Sequence, residues 1–220
     1  MQMFNNIILG NTHFVLKGEN MDFNESTTKT NLARSFSAEC QAGARYQFMS
    51  KMALSDNQKF LSDTMKTLAK NEMAHAKIFY DYIIEKSNGT CKNIPIEAGY
   101  PFEAIELKTS LLEESKIELS EADNIYPSFA RIAKDEGFLD IAKSFEMIAK
   151  VEETHHEILE YLGHLYKSNK MYKREKPTKW KCSSCGFETT TKEGFKECPL
   201  CHMPQGYIII NIEKELNEEK

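Results

Sequence analysis

The chain has 220 residues and a formal net charge of −5, and 41% of its residues are hydrophobic and 28% charged. This length is enough for one well-packed core and a small additional module. No run approaches the roughly 20 apolar residues of a membrane-spanning helix, and the acidic balance argues against nucleic acid as the main partner. We therefore expect a globular protein that binds neither a membrane nor a nucleic acid.

The first 21 residues have no hydrophobic periodicity. They also lack the basic region and the long apolar stretch of a signal peptide. We expect residues 1–21 to be an unstructured extension, or the natural chain to start at Met21. Six cysteines without an export signal favour a reducing compartment, in which thiols bind metals rather than pair. The expected location is cytoplasmic.

The middle of the chain predicts four amphipathic helices, because apolar residues recur at intervals of three and four. The predicted helices cover about residues 28–54, 57–86, 104–136 and 138–166. Pro127 should kink or interrupt the third helix, and Gly137 should cap its end. The stretch SNGTCKNIPIEAGYP, with its Gly and Pro residues, separates the second helix from the third. We therefore expect residues 22–166 to form an all-α four-helix bundle.

The composition changes after the bundle. Residues 167–179 are polar and basic and should form a linker. Residues 180–212 contain Cys, Gly, Pro and short strand-like runs such as GYIIINI, which predict a small β-rich module. Residues 213–220 should be a solvated tail.

Each predicted helix carries acid on the face that should be buried. The candidate metal ligands on these faces are Glu39, Glu72, His75, Glu118, Glu121, Glu152 and His155. The chain contains one arrangement twice, a Glu on one helix and a Glu-x-x-His pair on the next, and the second Glu follows the first by 33 positions in one copy and by 34 in the other. Because residues three apart share a helical face, each Glu-x-x-His pair can bind a single centre.

Electrostatics favours a metal at these acids. Five carboxylates in an apolar interior would repel one another, and desolvation would raise their pKa values. Two divalent cations nearly neutralise them, and carboxylate-rich ligation suits iron or manganese better than structural zinc. A single Glu-x-x-His is usually incidental, but two copies at matching phase predict the di-metal carboxylate site of helical bundles. Glu114 lies on the same face of the third helix, and we expect it at the bundle edge or in solvent.

The β-rich module carries two Cys-x-x-Cys knuckles separated by 12 residues. The four thiols belong to Cys182, Cys185, Cys198 and Cys201. Four thiolates at this spacing predict a bound metal, either a single iron or a zinc that only stabilises the module. Cys40 should be a small buried hydrophobic residue, and nothing in the sequence supports a role for Cys91.

The two halves together resemble rubrerythrin, a ferritin-like di-iron bundle followed by a rubredoxin-like domain. The resemblance covers roughly residues 22–212 and includes the order and spacing of its motifs. These motifs are ARSFSAECQAGARYQF, NEMAHAKIF, SEADNIYPSFARIAKDEGF, IAKVEETHHE, WKCSSCGFE and CPLCHMPQGY. The resemblance implies two non-haem iron ions in the bundle and one iron at the four cysteines.

The resemblance also implies how the bundle ligands divide between the two irons. Glu72 and Glu152 would be the bridging carboxylates. Glu39 would be a terminal ligand of one iron, and Glu118 and His155 would be terminal ligands of the other.

Four residues are the catalytic candidates that the resemblance implies. Glu121 would bind the first iron when the pair is oxidised, and His75 would replace it when the pair is reduced. Tyr46 and Tyr126 match tyrosines close to the site, although packing against the bundle is an alternative role.

The implied activity is peroxidase activity, the reduction of hydrogen peroxide to water in oxidative-stress defence. The electrons would pass through the iron at the four cysteines from an external rubredoxin, ferredoxin or NAD(P)H-dependent reductase. The implied assembly is a head-to-tail homodimer, which brings the thiolate-bound iron of one subunit near the di-iron pair of the other. Two alternatives are a ferroxidase or iron-handling bundle, and a non-enzymatic metal-binding module with a structural zinc ribbon.

The sequence departs from the family pattern at a few positions. Ser37, Cys40 and Gly43 replace residues that are more often Gly, Ser and Arg. Gly43 lowers helix propensity beside a ligand, so we expect a somewhat more open site. His202 follows the last cysteine where a small residue is usual, and we expect the knuckle to tolerate it because His adopts left-handed backbone better than most residues.

Overall fold

The computed structural model describes residues 21–102 and 104–219, so that nearly all of the expected extension, residues 1–21, lies outside the described residues. Its helices are α1 (Thr27–Ser55), α2 (Lys59–Lys86), α3 (Leu107–Ser120), α4 (Tyr126–Asp135), α5 (Leu139–Lys167) and α6 (Ile212–Glu219). Helix α1 packs along α2, while α3 and α4 pack along α5. The predicted four-helix bundle is confirmed. Within the described part of the chain, none of the helices combines the length and apolar character that crossing a membrane requires.

Helices α3 and α4 are joined without a break by a π-helical turn, Glu121–Ile125. The backbone N–H of Tyr126 donates to the Glu121 carbonyl, five residues back. Pro127 follows directly and lies in the first turn of α4. The regular α-helix is therefore interrupted directly before Pro127, as expected, although the chain stays helical. In a regular α-helix the proline could not donate a backbone hydrogen bond, and its ring would clash with the carbonyl group one turn earlier. The wider π-helical turn immediately before Pro127 lets the chain stay helical. Gly137 has a φ of 93° after the end of α4, as expected of a cap.

Two apolar clusters fill the bundle and leave a polar layer between them. One cluster includes Leu32, Phe79 and Phe145. The other includes Met65 and Leu159, and it extends into the C-terminal module. The acidic positions of α1, α2 and α5 fall between these clusters along each helix. The clusters therefore hold the helices at fixed spacing on both sides of the acids.

The C-terminal module is a three-stranded antiparallel sheet in the order β2-β1-β3. Its strands are β1 (Lys173–Cys182), β2 (Glu188–Glu193) and β3 (Ile208–Ile209). Residues 173–179, expected as part of a linker, are instead the first part of β1. The expected solvated tail is helix α6, in which Leu216 packs against the core cluster and Glu215 lies 2.5 Å from the Arg174 guanidinium.

The module packs against the turn between α1 and α2. The Tyr172 hydroxyl donates to Gln58 Oε1 at 2.8 Å. Gly206 lies so close to this turn that a Cβ atom would stand 1.9 Å from the Asn57 carbonyl oxygen. Glycine at position 206 is therefore needed for the close approach of the two backbones.

Candidate metal centres

Six buried side chains from all four long helices of the bundle form two groups of donor atoms. The first group consists of Glu39, Glu72, His75 and Glu152, and the second of Glu72, Glu118, Glu152 and His155. The donor atoms within each group lie within 4.8 Å of one another. Glu72 and Glu152 belong to both groups, so their carboxylates lie between two adjacent centres.

The donor atoms converge without hydrogen-bonding one another. Nδ1 of His155 lies 2.9 Å from Glu72 Oε1 and 2.7 Å from Glu152 Oε2. Nδ1 of His75 lies 2.9 Å from Glu152 Oε1. These nitrogens and oxygens have no hydrogen-bond partner of acceptable geometry among the described residues, although they are fully buried. Ligands that share a six-coordinate ion at roughly 2.1 Å lie about 3 Å apart. The donor set therefore fits metal ions better than it fits internal hydrogen bonds.

The protonation equilibria of these groups indicate strong charge coupling. Burial raises the pKa of Glu39 and Glu118 well above the usual value, and the neighbouring carboxylates raise it further. Burial alone would also raise the pKa of Glu72, but the imidazoles of His155 and His75 outweigh it and lower the pKa to about 2. Desolvation alone would lower the pKa of both imidazoles. The surrounding carboxylates outweigh it and raise the pKa of His75 to about 12 and that of His155 to about 9. The cluster thus attracts positive charge strongly, and metal cations supply it.

Two buried tyrosines hydrogen-bond to the two carboxylates that belong to only one donor group each. The Tyr46 hydroxyl donates to Glu118, and the Tyr126 hydroxyl donates to Glu39. Both tyrosines are almost completely buried. Besides packing in the bundle, each tyrosine donates a hydrogen bond that restricts the rotation of one carboxylate.

Glu121 stands apart from both donor groups. It begins the π-helical turn and is 8% exposed. Burial, reinforced by the charges of Glu152 and Glu72, raises its pKa to about 8. Of the seven bundle residues expected as ligands, the structure brings six together and leaves Glu121 beside them.

Two further residues at the site were not predicted from the sequence. The Asn71 side-chain amide lies 3.3 Å from Nε2 of His155, which leaves Nδ1 to face the carboxylates. Glu114, expected at the bundle edge or in solvent, is buried and paired with Arg45 at 2.7 Å. Glu114 faces inward because the guanidinium of α1 neutralises it there.

The four cysteines of the C-terminal module meet in one cluster. The Sγ atoms of Cys182 and Cys201 are 3.7 Å apart, and those of Cys185 and Cys198 are 3.6 Å apart. A disulfide would bring two sulfurs to roughly 2.05 Å, whereas a tetrahedral metal with bonds of roughly 2.3 Å separates them by about 3.8 Å. The cluster therefore fits a four-coordinate metal. Cys40 and Cys91 are only partly buried and belong to none of the donor groups found in residues 21–102 and 104–219.

Comparison with known proteins agrees with this arrangement. The family model for rubrerythrin matches residues 30–163. Rubrerythrin of Clostridium perfringens is 37% identical over 184 residues, which cover 82% of this chain and 92% of the relative. The chain belongs to the rubrerythrin family.

Solved structures agree with the fold. A partially reduced nigerythrin superposes with a TM-score of 0.56 at 21% identity, covering 87% of this chain and 93% of the nigerythrin. A bacterioferritin of Desulfovibrio desulfuricans superposes with a TM-score of 0.58 at 21% identity, covering 66% of this chain and 82% of its own.

As a member of the rubrerythrin family, the chain is an iron-binding oxidoreductase with two iron sites. The bundle contains the di-iron site, to which the six converging side chains above correspond. The sheet module contains the rubredoxin-like site, to which the four cysteines correspond.

The departures from the family pattern have different consequences. A Cβ atom on Gly43 would lie 3.3 Å from the Met73 sulfur and 3.4 Å from the Ala69 carbonyl oxygen. Gly43 is therefore covered by α2, and the expected opening of the site at this residue is wrong. His202 adopts a φ of 58°, and its N–H donates to the Cys198 carbonyl at 2.9 Å. The knuckle therefore tolerates His202, as expected.

Proposed function

We propose that this protein is a peroxidase that reduces hydrogen peroxide to two water molecules and serves in oxidative-stress defence. The proposal depends mainly on Glu121, a buried acid beside the di-iron site that belongs to neither donor group. A storage or structural bundle has no evident use for this additional carboxyl group. The attached module with four cysteines supports the same activity, because it supplies a route for electrons.

The reaction needs two electrons and two protons for each O–O bond that breaks. When bound, the pair of ferrous ions supplies both electrons, one from each ion. The chain must supply the proton path. Without metal, burial and then the charges of Glu152 and Glu72 raise the pKa of Glu121 to about 8, and its burial beside the site favours the protonated carboxyl group. Glu121 is therefore the group that we propose to pass a proton to the departing oxygen.

The exchange of His75 for Glu121 is the second part of the proposal. His75 belongs to the first group of donor atoms, whereas Glu121 lies outside both groups. Replacing a neutral imidazole by a carboxylate would add one negative charge, which compensates for the charge that the site gains when it is oxidised. Tyr126 and Tyr46 would keep the terminal carboxylates Glu39 and Glu118 in place during this exchange.

We propose that electrons reach the di-iron site from the cysteine-bound iron of a second subunit. Within one chain the module packs against the turn near Gln58. Glu39 lies 17 residues before the start of this turn, so the two are separated by about 25 Å along α1. Electron transfer slows steeply with distance, and a head-to-tail homodimer would shorten the path. The proposed external donor is a rubredoxin, a ferredoxin or an NAD(P)H-dependent reductase.

The test is stopped-flow mixing of anaerobically reduced, iron-loaded protein with stoichiometric hydrogen peroxide or with oxygen. We expect hydrogen peroxide to reoxidise the iron much faster than oxygen does. Faster reoxidation by oxygen would contradict the peroxidase assignment, and a cage-sized particle in gel filtration would favour iron storage instead.

A second test concerns Glu121. Glu121→Gln should slow peroxide turnover while elemental analysis still finds two irons in the bundle. Glu153→Gln, at an exposed position of α5, is the matched control and should behave like the wild type. Loss of one iron from the Glu121 variant would make Glu121 a structural ligand and would contradict its proposed role as a proton donor.

A further inference from the structure

A cavity of about 590 Å³ opens beside the di-iron site. Its walls are formed by α1, α3, the π-helical turn, α4, and residues 98–101 and 104–105 of the segment between α2 and α3. Glu121 and Tyr126 belong to its inner wall. Because Tyr126 donates a hydrogen bond to Glu39, this cavity reaches the groups that contact the metal ligands directly.

The cavity is much larger than hydrogen peroxide requires. A water molecule occupies about 30 Å³ of liquid, and a molecule with two heavy atoms needs roughly twice that. Pockets that bind organic molecules have volumes of roughly 300–1,000 Å³. The volume of about 590 Å³ therefore corresponds to a site for an organic molecule of moderate size.

The chemistry of the walls also fits an organic molecule. The apolar side chains that line the cavity are Ala38, Pro101, Ile105, Ile117, Ile125 and Phe129. Arg45 and Glu114 also line it, but they neutralise each other in a salt bridge of 2.7 Å. The surface is therefore mainly hydrocarbon, as in sites that bind organic ligands by burial of apolar area.

We infer that the cavity binds the hydrocarbon part of an alkyl or aryl hydroperoxide, ROOH, and directs its O–O group toward the iron pair past Glu121. This inference rests on the proposed function and adds a substrate class to it. With iron bound, the O–O bond would break, each of the two ferrous ions would lose one electron, and two protons, one passed by Glu121 and one from solvent, would complete the products. The organic product is the alcohol ROH, and the other product is water.

Two flanking residues of Glu118 provide a matched pair of variants. Ile117 lines the cavity, whereas Leu119 is 36% exposed and does not line it. Ile117→Trp would fill part of the cavity, and Leu119→Trp would place the same bulk elsewhere. Because both residues adjoin Glu118, any indirect effect on this ligand is similar in the two variants.

The first measurement is the ratio of kcat/KM for cumene hydroperoxide to kcat/KM for hydrogen peroxide, with iron-loaded protein. We expect Ile117→Trp to lower this ratio by about tenfold or more, since filling a pocket discriminates against the larger substrate. Leu119→Trp should leave the ratio within about twofold of the wild type. Equal ratios in all three proteins would overturn the inference.

The second measurement does not depend on turnover. Isothermal titration calorimetry should detect binding of 2-phenyl-2-propanol, the alcohol product, to oxidised iron-loaded wild type and Leu119→Trp but not to Ile117→Trp. Ala104→Trp, at a non-helical position of the same wall, replaces Ile117→Trp if that variant does not fold. Absence of alcohol binding to the wild type would overturn the inference.

The two proposals fail in different ways. If hydrogen peroxide is reduced but cumene hydroperoxide is not, the inference is wrong and the proposed function stands. If neither peroxide is reduced, both are wrong, even where the calorimetry detects the alcohol.

Discussion

Arg45 of α1 and Glu114 of α3 form a two-pronged ion pair in the wall of the bundle, with Nε and one terminal nitrogen of the guanidinium 2.7 and 3.0 Å from the two carboxylate oxygens. The Arg45 and Glu114 side chains are only 17% and 9% exposed. The charge of Arg45 also opposes the rise in the pKa of Glu121 that burial causes. This pair therefore links two helices and modifies the electrostatics of the acid next to the metals.

Removing one member of the pair should cost more stability than removing both. Arg45→Met or Glu114→Leu alone should lower the free energy of unfolding by about 2 kcal/mol, because one charge remains largely buried without its partner. The double variant should recover to within about 1 kcal/mol of the wild type. Chemical denaturation of the four iron-loaded proteins measures this coupling. Additive losses would contradict a buried, coupled pair.

The sequence predicted well which acidic and imidazole side chains meet in the bundle, because these residues occupy regular helical positions. Glu72 and His75 are three residues apart on one helix, so periodicity alone places them on the same face. Glu114 follows the same periodicity, yet its burial depends on Arg45, which lies 69 residues earlier in the chain. A helical pattern identifies which residues share a face of one helix, but it does not identify their partners on another helix.

The π-helical turn and the C-terminal elements had weaker signals. A single turn with hydrogen bonds to the fifth residue back changes the helix phase without any characteristic composition. The first part of β1 is mostly exposed, so it lacks the alternation of apolar and polar residues that indicates a strand. The apolar residues of α6 that pack against the core cluster are Ile212 and Leu216, which are too few for a recognisable periodicity.

Asn71 should position His155 for metal binding. Its amide contacts Nε2 of the imidazole, so its loss would allow the ring to rotate. Asn71→Ala should weaken binding of the metal at the donor group that contains His155 by about tenfold. Competition with a chelator measures the affinity, and Asn93→Ala, at an exposed position outside the bundle helices, is the control. Equal affinities in the two variants would exclude a positioning role for Asn71.

Glu136 should make the stability of α1 depend on pH. Its carboxylate accepts hydrogen bonds of 2.9 Å from the N–H groups of both Thr27 and Thr28, at the start of the helix. Burial alone would raise the pKa of Glu136, but a hydrogen bond from the Thr28 hydroxyl, together with those from the two N–H groups, outweighs it and lowers the pKa below 4.5. A depressed pKa stabilises the fold above the pKa of the unfolded chain, and this stabilisation is lost as the pH falls through the lower value.

Glu136→Gln should therefore lower the free energy of unfolding by about 1 kcal/mol at neutral pH, because the charged cap at the helix N-terminus is lost. The difference from the wild type should shrink between about pH 5 and pH 3. Urea denaturation followed by circular dichroism at several pH values measures this effect. Asp135→Asn, at the exposed neighbouring position, should show no comparable change. A difference that stays constant across this pH range would contradict the proposed cap.

Iron binding to the bundle should release protons. In the metal-free protein, obtained by chelation, the carboxylates raise the pKa of His75 to about 12 and that of His155 to about 9. Both imidazoles are then protonated at pH 7, whereas a metal ligand must be a neutral imidazole. Anaerobic titration with ferrous iron should therefore release at least two protons for each pair of ions. A pH indicator measures this release after the four-cysteine site has been filled with zinc, so that its thiols do not contribute.

The pH dependence of this release identifies the groups. As the pH rises through about 9, His155 loses its proton before the metal arrives, so the number of protons released should fall by about one. His155→Gln should release about one proton fewer than the wild type at pH 7. Proton release that does not depend on pH, or that is equal in the wild type and this variant, would show that His155 is neutral in the metal-free cluster. The strong charge coupling inferred for the six buried donors would then be wrong.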